Sequence, residues 1–188
     1  EKSIQTARKG LALSELWGQT DTIMLCLLSL SNGLSLAQDT GAAKAVLQRA
    51  RNIARNVSPW FTLVVDQLAL RTCLDAGEID QAADLARKMG TRLPVYLQTS
   101  LWVKQNRIDE ALAVLENALP DALNTSSLDA VRLGVIQSEA LLIKRDEPLA
   151  LSSLKQTLER AEPENWVAVF VREGAPMEKL LRLALAKS

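Results

Sequence analysis

The stretch Asn106-Arg107-Ile108-Asp109-Glu110-Ala111-Leu112-Ala113-Val114-Leu115 decides the fold. A polar break is followed by two carboxylates, then by an alanine with a leucine four residues later. Carboxylates in a first helical turn complement the dipole by about 0.3 to 1 kcal/mol, and a spacing of four puts Ala111 and Leu115 on one face. The nearest echo is Gly77-Glu78-Ile79-Asp80-Gln81-Ala82-Ala83-Asp84-Leu85-Ala86. Working outward, Ala43, Ala82, Ala111 and Ala150 each stand five residues after a break and four before Leu47, Ala86, Leu115 and Leu154. Apolar helical stretches flank every copy. This repetition predicts an all-α fold, a right-handed superhelical array of antiparallel helix pairs. A small side chain one turn into the second helix lets the two axes approach toward the short end of the ~8 to 10 Å range.

Helix signals fill in the rest. Ile4, Ala7, Leu11 and Leu16 predict a first helix, or the second half of an upstream pair, up to Trp17. Asp21 or Thr20 is the expected cap of the next helix, with Asn32-Gly33 as an internal weak point and Asp39-Thr40-Gly41 as the turn. Ser58-Pro59 is a strong helix start, since serine caps free amides and proline suits the first turn. Gly77 and Gly90 punctuate the next pair, Leu93-Pro94 opens a third, and Pro120 is expected to end it. Asn124 to Ser127 supply caps for a long helix to Lys144, and Asp146-Glu147-Pro148 starts its partner. The resulting expectation is a single repeat domain over 1–188. Its pairs lie at about 21–57, 58–90, 92–120 and 124–162, and a C-terminal clasp covers 163–188. Within the clasp, 166–171 reads either as extended or as a short helix.

Composition narrows function. Lysine plus arginine equals aspartate plus glutamate at 22 each, which removes the electrostatic case for direct nucleic-acid or anionic-membrane binding. There is no histidine to serve as acid, base or metal ligand. Cys26 and Cys73 sit in apolar settings and read as small buried thiols, which fits a reducing, cytoplasmic compartment better than a disulfide framework. The longest apolar run, Ile23 to Leu28, falls far short of the ~20 residues a membrane helix needs. No nucleophile with an activating base emerges, and the expectation is that the chain is no enzyme. It opens without methionine and reads as a piece of something longer. Trp17, Trp60 and Trp102 are expected in the core or between helices.

The closing stretch carries a resemblance. Glu162-Pro163, Phe170, Glu173-Gly174, Pro176-Met177 and Leu180-Leu181 resemble the end of the repeat domain in large ATP-binding, LuxR-family (MalT-like) transcriptional regulators. That family usually has Gly-Tyr where Asn165-Trp166 stand, and often an acidic residue at the place of Arg172. The resemblance implies a tetratricopeptide-like sensor that binds a small-molecule inducer or a regulatory protein. It also implies that ATP and DNA are engaged only through other domains of a parent protein. The chain has neither a phosphate loop nor a compact basic helix-turn-helix module, so no cofactor is expected within it. The alternative is a scaffold that holds a peptide or helix in the same groove.

In such pairs the first helix lines the concave face. Eleven residues before each anchor alanine stand Asn32, Arg71, Ser100 and Glu139, all polar; fifteen before stand Leu28, Gln67, Tyr96 and Val135; Arg132 is eighteen before Ala150. Asn32, Gln67, Arg71, Tyr96, Ser100, Arg132 and Glu139 are therefore the candidate ligand groove. Arg71 and Tyr96 lead it, because a guanidinium fork and an amphipathic ring give oriented hydrogen bonds together with apolar contact. A wet concave face also accounts for polar residues there without a ligand.

Overall fold

In the computed structural model, which describes residues 1–187, the four breaks before the anchor alanines close in one way. Gln38, Gly77, Asn106 and Arg145 each adopt a left-handed backbone, with φ of 63°, 74°, 59° and 65°. The next amide reaches back to the carbonyl five residues earlier: Asp39 to Leu34 at 3.0 Å, Glu78 to Cys73 at 2.9 Å, Arg107 to Trp102 at 2.8 Å and Asp146 to Leu141 at 3.0 Å. These Schellman turns satisfy the last carbonyls of one helix and reverse the chain for the next. Three of the four positions carry a Cβ, so the turn accepts a left-handed penalty of roughly 1 to 2 kcal/mol where Gly77 does not.

Helices follow from these stops. The first compact unit, residues 1–93, holds α1 (Lys2–Leu16), α2 (Thr20–Leu36), α3 (Thr40–Ala54), α4 (Pro59–Asp75), α5 (Ile79–Met89) and a 3-10 turn (Gly90–Arg92). The second, from Pro94 onward, holds α6 (Val95–Lys104), α7 (Ile108–Thr125), α8 (Ser127–Ile143), α9 (Glu147–Ala161), α10 (Val167–Val171) and α11 (Ala175–Lys187). From α1 to α5 and from α6 to α9 each helix packs on the next, first helices of successive pairs also touch, α2 on α4 and α6 on α8, and α10 and α11 close back on α8. That is the packing of a helical-repeat array.

All four anchor alanines are 0% exposed. Leu47, Leu115 and Leu154 are buried beside them, and so is Ala86. The frame extends one copy further than the sequence reading took it: Ala7, Leu11 and Ser14 on α1 repeat the spacing of Ala150, Leu154 and Thr157, and all are buried. Thus α1 is a second-of-pair helix. Asp39 caps the Ala42 amide at 3.1 Å, Asp146 caps Leu149 at 3.2 Å, and Ser58 accepts from both Trp60 and Phe61.

Several expectations are corrected. Pro120 does not end its helix; α7 runs to Thr125. Proline removes one hydrogen bond and crowds a carbonyl on an exposed side, while the buried stripe continues from Ala111 and Leu115 to Ala122 and holds the helix together. Neither Asp21 nor Thr20 caps α2, whose cap position is Gln19. Asn32-Gly33 lies within unbroken α2, where the missing side chain of Gly33 lets Ile4 of α1 approach: a Cβ there would stand 3.0 Å from Ile4 Cγ1. Trp17 and Trp60 are 74% and 57% exposed rather than packed inside: Trp17 stands at the C-terminal end of α1, and at Trp60 the neighbouring Phe61, edge-on at 4.9 Å between centroids, takes the buried place. The 166–171 segment resolves to the short helix α10 after Trp166.

Candidate functional site

Residues four apart on a helix share a face. Gln67, Arg71 and Asp75 thus form one stripe of α4, and Tyr96, Ser100 and Lys104 form the matching stripe of α6. Arg71 is buried; its Nε donates to Asp75 Oδ1 at 2.9 Å, and Asp75 Oδ2 accepts from the Ser35 hydroxyl of α2 at 2.6 Å. This charge-assisted link ties two first-of-pair helices, and Arg71 is committed to it. Asn32 and Gln67 are half-buried on α2 and α4.

In the second unit the stripe is bridged at both ends. The Arg132 guanidinium of α8 lies over the Tyr96 ring, 4.6 Å from its centroid, and also donates to Asp129 at 2.9 Å. Two turns further along α8, Glu139 accepts from Lys104 Nζ at 2.9 Å, with its own side chain 4% exposed. Ser100, buried, sits between these bridges on α6. The cation over the ring uses one aromatic face, and the Lys104–Glu139 pair compensates a carboxylate that would be costly to bury alone.

Of the seven candidates, four therefore gather on α6 and α8: Tyr96, Ser100, Arg132 and Glu139. Arg71, Gln67 and Asn32 belong to the first unit, on α4 and α2. Asp75 and Lys104 were missed by the sequence reading. Both stand seven residues before an anchor alanine, one turn beyond the polar position already singled out, so the frame itself held the signal.

Other chemistry is sparse. Cys26 is half-buried, Cys73 is buried, and both are free thiols. Burial pushes the Cys73 thiol above its ordinary value, with Lys44 opposing the rise. Among the described residues no three metal-ligating side chains cluster, and no helix is long and apolar enough to cross a membrane.

An open apolar groove of about 1590 Å³ lies between α9, α10 and α11, lined among others by Leu151, Leu158, Trp166, Phe170, Leu181 and Leu185. Five of the residues that carry the family resemblance, Glu162, Phe170, Gly174, Met177 and Leu181, line it. Phe170, Glu173, Met177 and Leu180 are buried, and Gly174 takes a left-handed φ of 65° between α10 and α11. The signature therefore encodes the clasp's fold. Compared with known proteins, residues 1–187 match the family described as the MalT-like TPR region. No curated protein and no solved structure matched the chain.

Proposed function

The chain belongs to the MalT-like TPR family, and from that premise we propose that this regulatory helical-repeat domain is the sensing part of a LuxR-type transcriptional regulator. An inducer or regulatory partner binds here, and its binding is coupled to a nucleotide switch and a DNA-binding domain elsewhere in the parent protein. The family match over residues 1–187 carries the reading. The site that best suits a small ligand is the α6–α8 stripe. Tyr96 offers its second ring face, and Arg132 and Glu139 orient donors and acceptors through pairs that are already fixed. Preformed groups lose little freedom on binding.

The test is a thermal-shift screen of sugars and other small metabolites, followed by calorimetry on the Tyr96→Ala and Arg132→Ala variants. A hit whose affinity falls tenfold or more in both variants, about 1.4 kcal/mol, supports the site. A hit unaffected by either places the ligand elsewhere. The second reading, a scaffold for a peptide or helix, is favoured by the apolar groove between α9 and α11. Tight binding of an amphipathic peptide with no metabolite response would select it.

A further inference from the structure

The α3–α4–α5 corner of the first unit holds a pocket of about 280 Å³, separate from the α4 stripe that carries Arg71. Its wall consists of Arg51 and Arg55 from the end of α3, Thr62 and Asp66 from the first half of α4, and Leu85, Lys88 and Met89 from the end of α5. Three cations face one carboxylate. Asp66 is occupied by Arg51, whose Nη2 stands 2.8 Å from Oδ1. Among the described residues neither Arg55 nor Lys88 pairs with a carboxylate. The pocket thus carries two uncompensated positive charges over a floor formed by buried Met89 and half-buried Leu85.

Its existence follows from a local departure in the repeat. In the α8–α9 hairpin, the positions sixteen before, three after and seven after the anchor alanine are Gly134, Ser153 and Thr157. There the helices close so tightly that a Cβ on Gly134 would collide with the Thr157 side chain. In α4–α5 the same positions are Asp66, Leu85 and Met89, and the space that α8–α9 closes is left open.

We propose that this pocket is a binding site for a phosphate-type oxyanion, either free or as the phosphomonoester end of a small metabolite. Arg55 and Lys88 supply the charge, and the planar Arg51 fork a bidentate contact once it swings from Asp66. The Thr62 hydroxyl, which donates to the Ser58 carbonyl at 3.4 Å, adds a donor once it rotates away from that carbonyl. Asp66 holds Arg51 in place when the site is empty and opposes the incoming anion. It therefore sets a ceiling on affinity. A tetrahedral dianion fits the volume with room for a small attached group. This inference does not depend on the sensing role proposed above, and its failure would leave that role intact.

The experiment is calorimetry at low ionic strength on the intact chain, with inorganic phosphate and glycerol phosphate as separate probes and chloride as the control. Wild-type protein is expected to bind saturably. Whichever probe binds more tightly identifies the source of the phosphate group. Arg55→Ala combined with Lys88→Ala is expected to lower affinity at least tenfold. Asp66→Asn, which removes a like charge beside the anion and releases Arg51, is expected to raise it roughly fivefold to tenfold. All three proteins should show the same helical content by circular dichroism, since the altered side chains lie on the pocket wall. Absence of saturable binding by wild type and Asp66→Asn, undiminished binding in the double variant, or weaker binding in Asp66→Asn would each overturn the proposal.

Discussion

The α4–α5 and α8–α9 hairpins share a Schellman turn and a fully buried anchor alanine, Ala82 or Ala150, yet they end differently. Past the anchor, α8–α9 interlocks through small hydroxyl side chains. Ser138 donates to Ser153 at 3.0 Å and Ser153 to Gln137 Oε1 at 2.9 Å, while Thr157, whose hydroxyl bonds the Ser153 carbonyl of its own helix at 2.7 Å, packs directly on Gly134. In α4–α5 a carboxylate, a leucine and a methionine occupy the frame positions of Gly134, Ser153 and Thr157, and a pocket lined with cations stands there. The alanine fixes where a pair crosses. What faces what beyond it decides whether the pair closes or opens, and of these two hairpins only the open one leaves a pocket between its helices.

Exchanging residues between the two hairpins breaks this comparison most strongly at Gly134. Gly134→Asp sets a carboxylate against Thr157 inside a closed interface, and a loss of about 3 kcal/mol or more is expected in urea denaturation. A neutral result would mean that the close approach there is not required. The reverse exchange, Met89→Thr, takes a buried apolar side chain from the open hairpin without closing it. It should cost about 2 kcal/mol by the same measurement. A gain in stability would instead show that the open end can zip shut.

The smallest effect concerns pH. Burial raises the Cys73 thiol on α4 above the 9.0 of the free group. Above pH 9 the unfolded chain releases a proton that the native state keeps, so the native state holds more protons and stability falls as pH rises. Cys73→Ala should flatten that part of a melting-temperature profile relative to wild type. Parallel profiles would mean that the thiol titrates alike in both states.

Local chemistry made much of this architecture readable. The breaks at Gly77 and Asn106, the Ser58-Pro59 start and the anchor alanines all act within a few residues, and each was found where the spacing put it. Features that depend on partners far along the chain were not readable in the same way. Pro120 breaks helices in isolation, but the stripe ending at Ala122 overrides it. Lys104 meets Glu139 thirty-five residues away, and Arg132 meets Tyr96, only because α6 and α8 pack side by side. Of the candidate site, sequence gave the polar positions but not their pairing. Nor did it give the basic pocket, whose walls come from three helices.

Ala111→Leu set against Ala113→Leu is the most direct test of the account, because the two positions share a helix and differ in burial, Ala111 being enclosed and Ala113 exposed. Equilibrium denaturation should show the first variant losing about 1 to 3 kcal/mol through overpacking, while the second stays within about 0.5 kcal/mol of wild type. Equal stabilities for the two would contradict the claim that buried alanine crossings hold the helix pairs together.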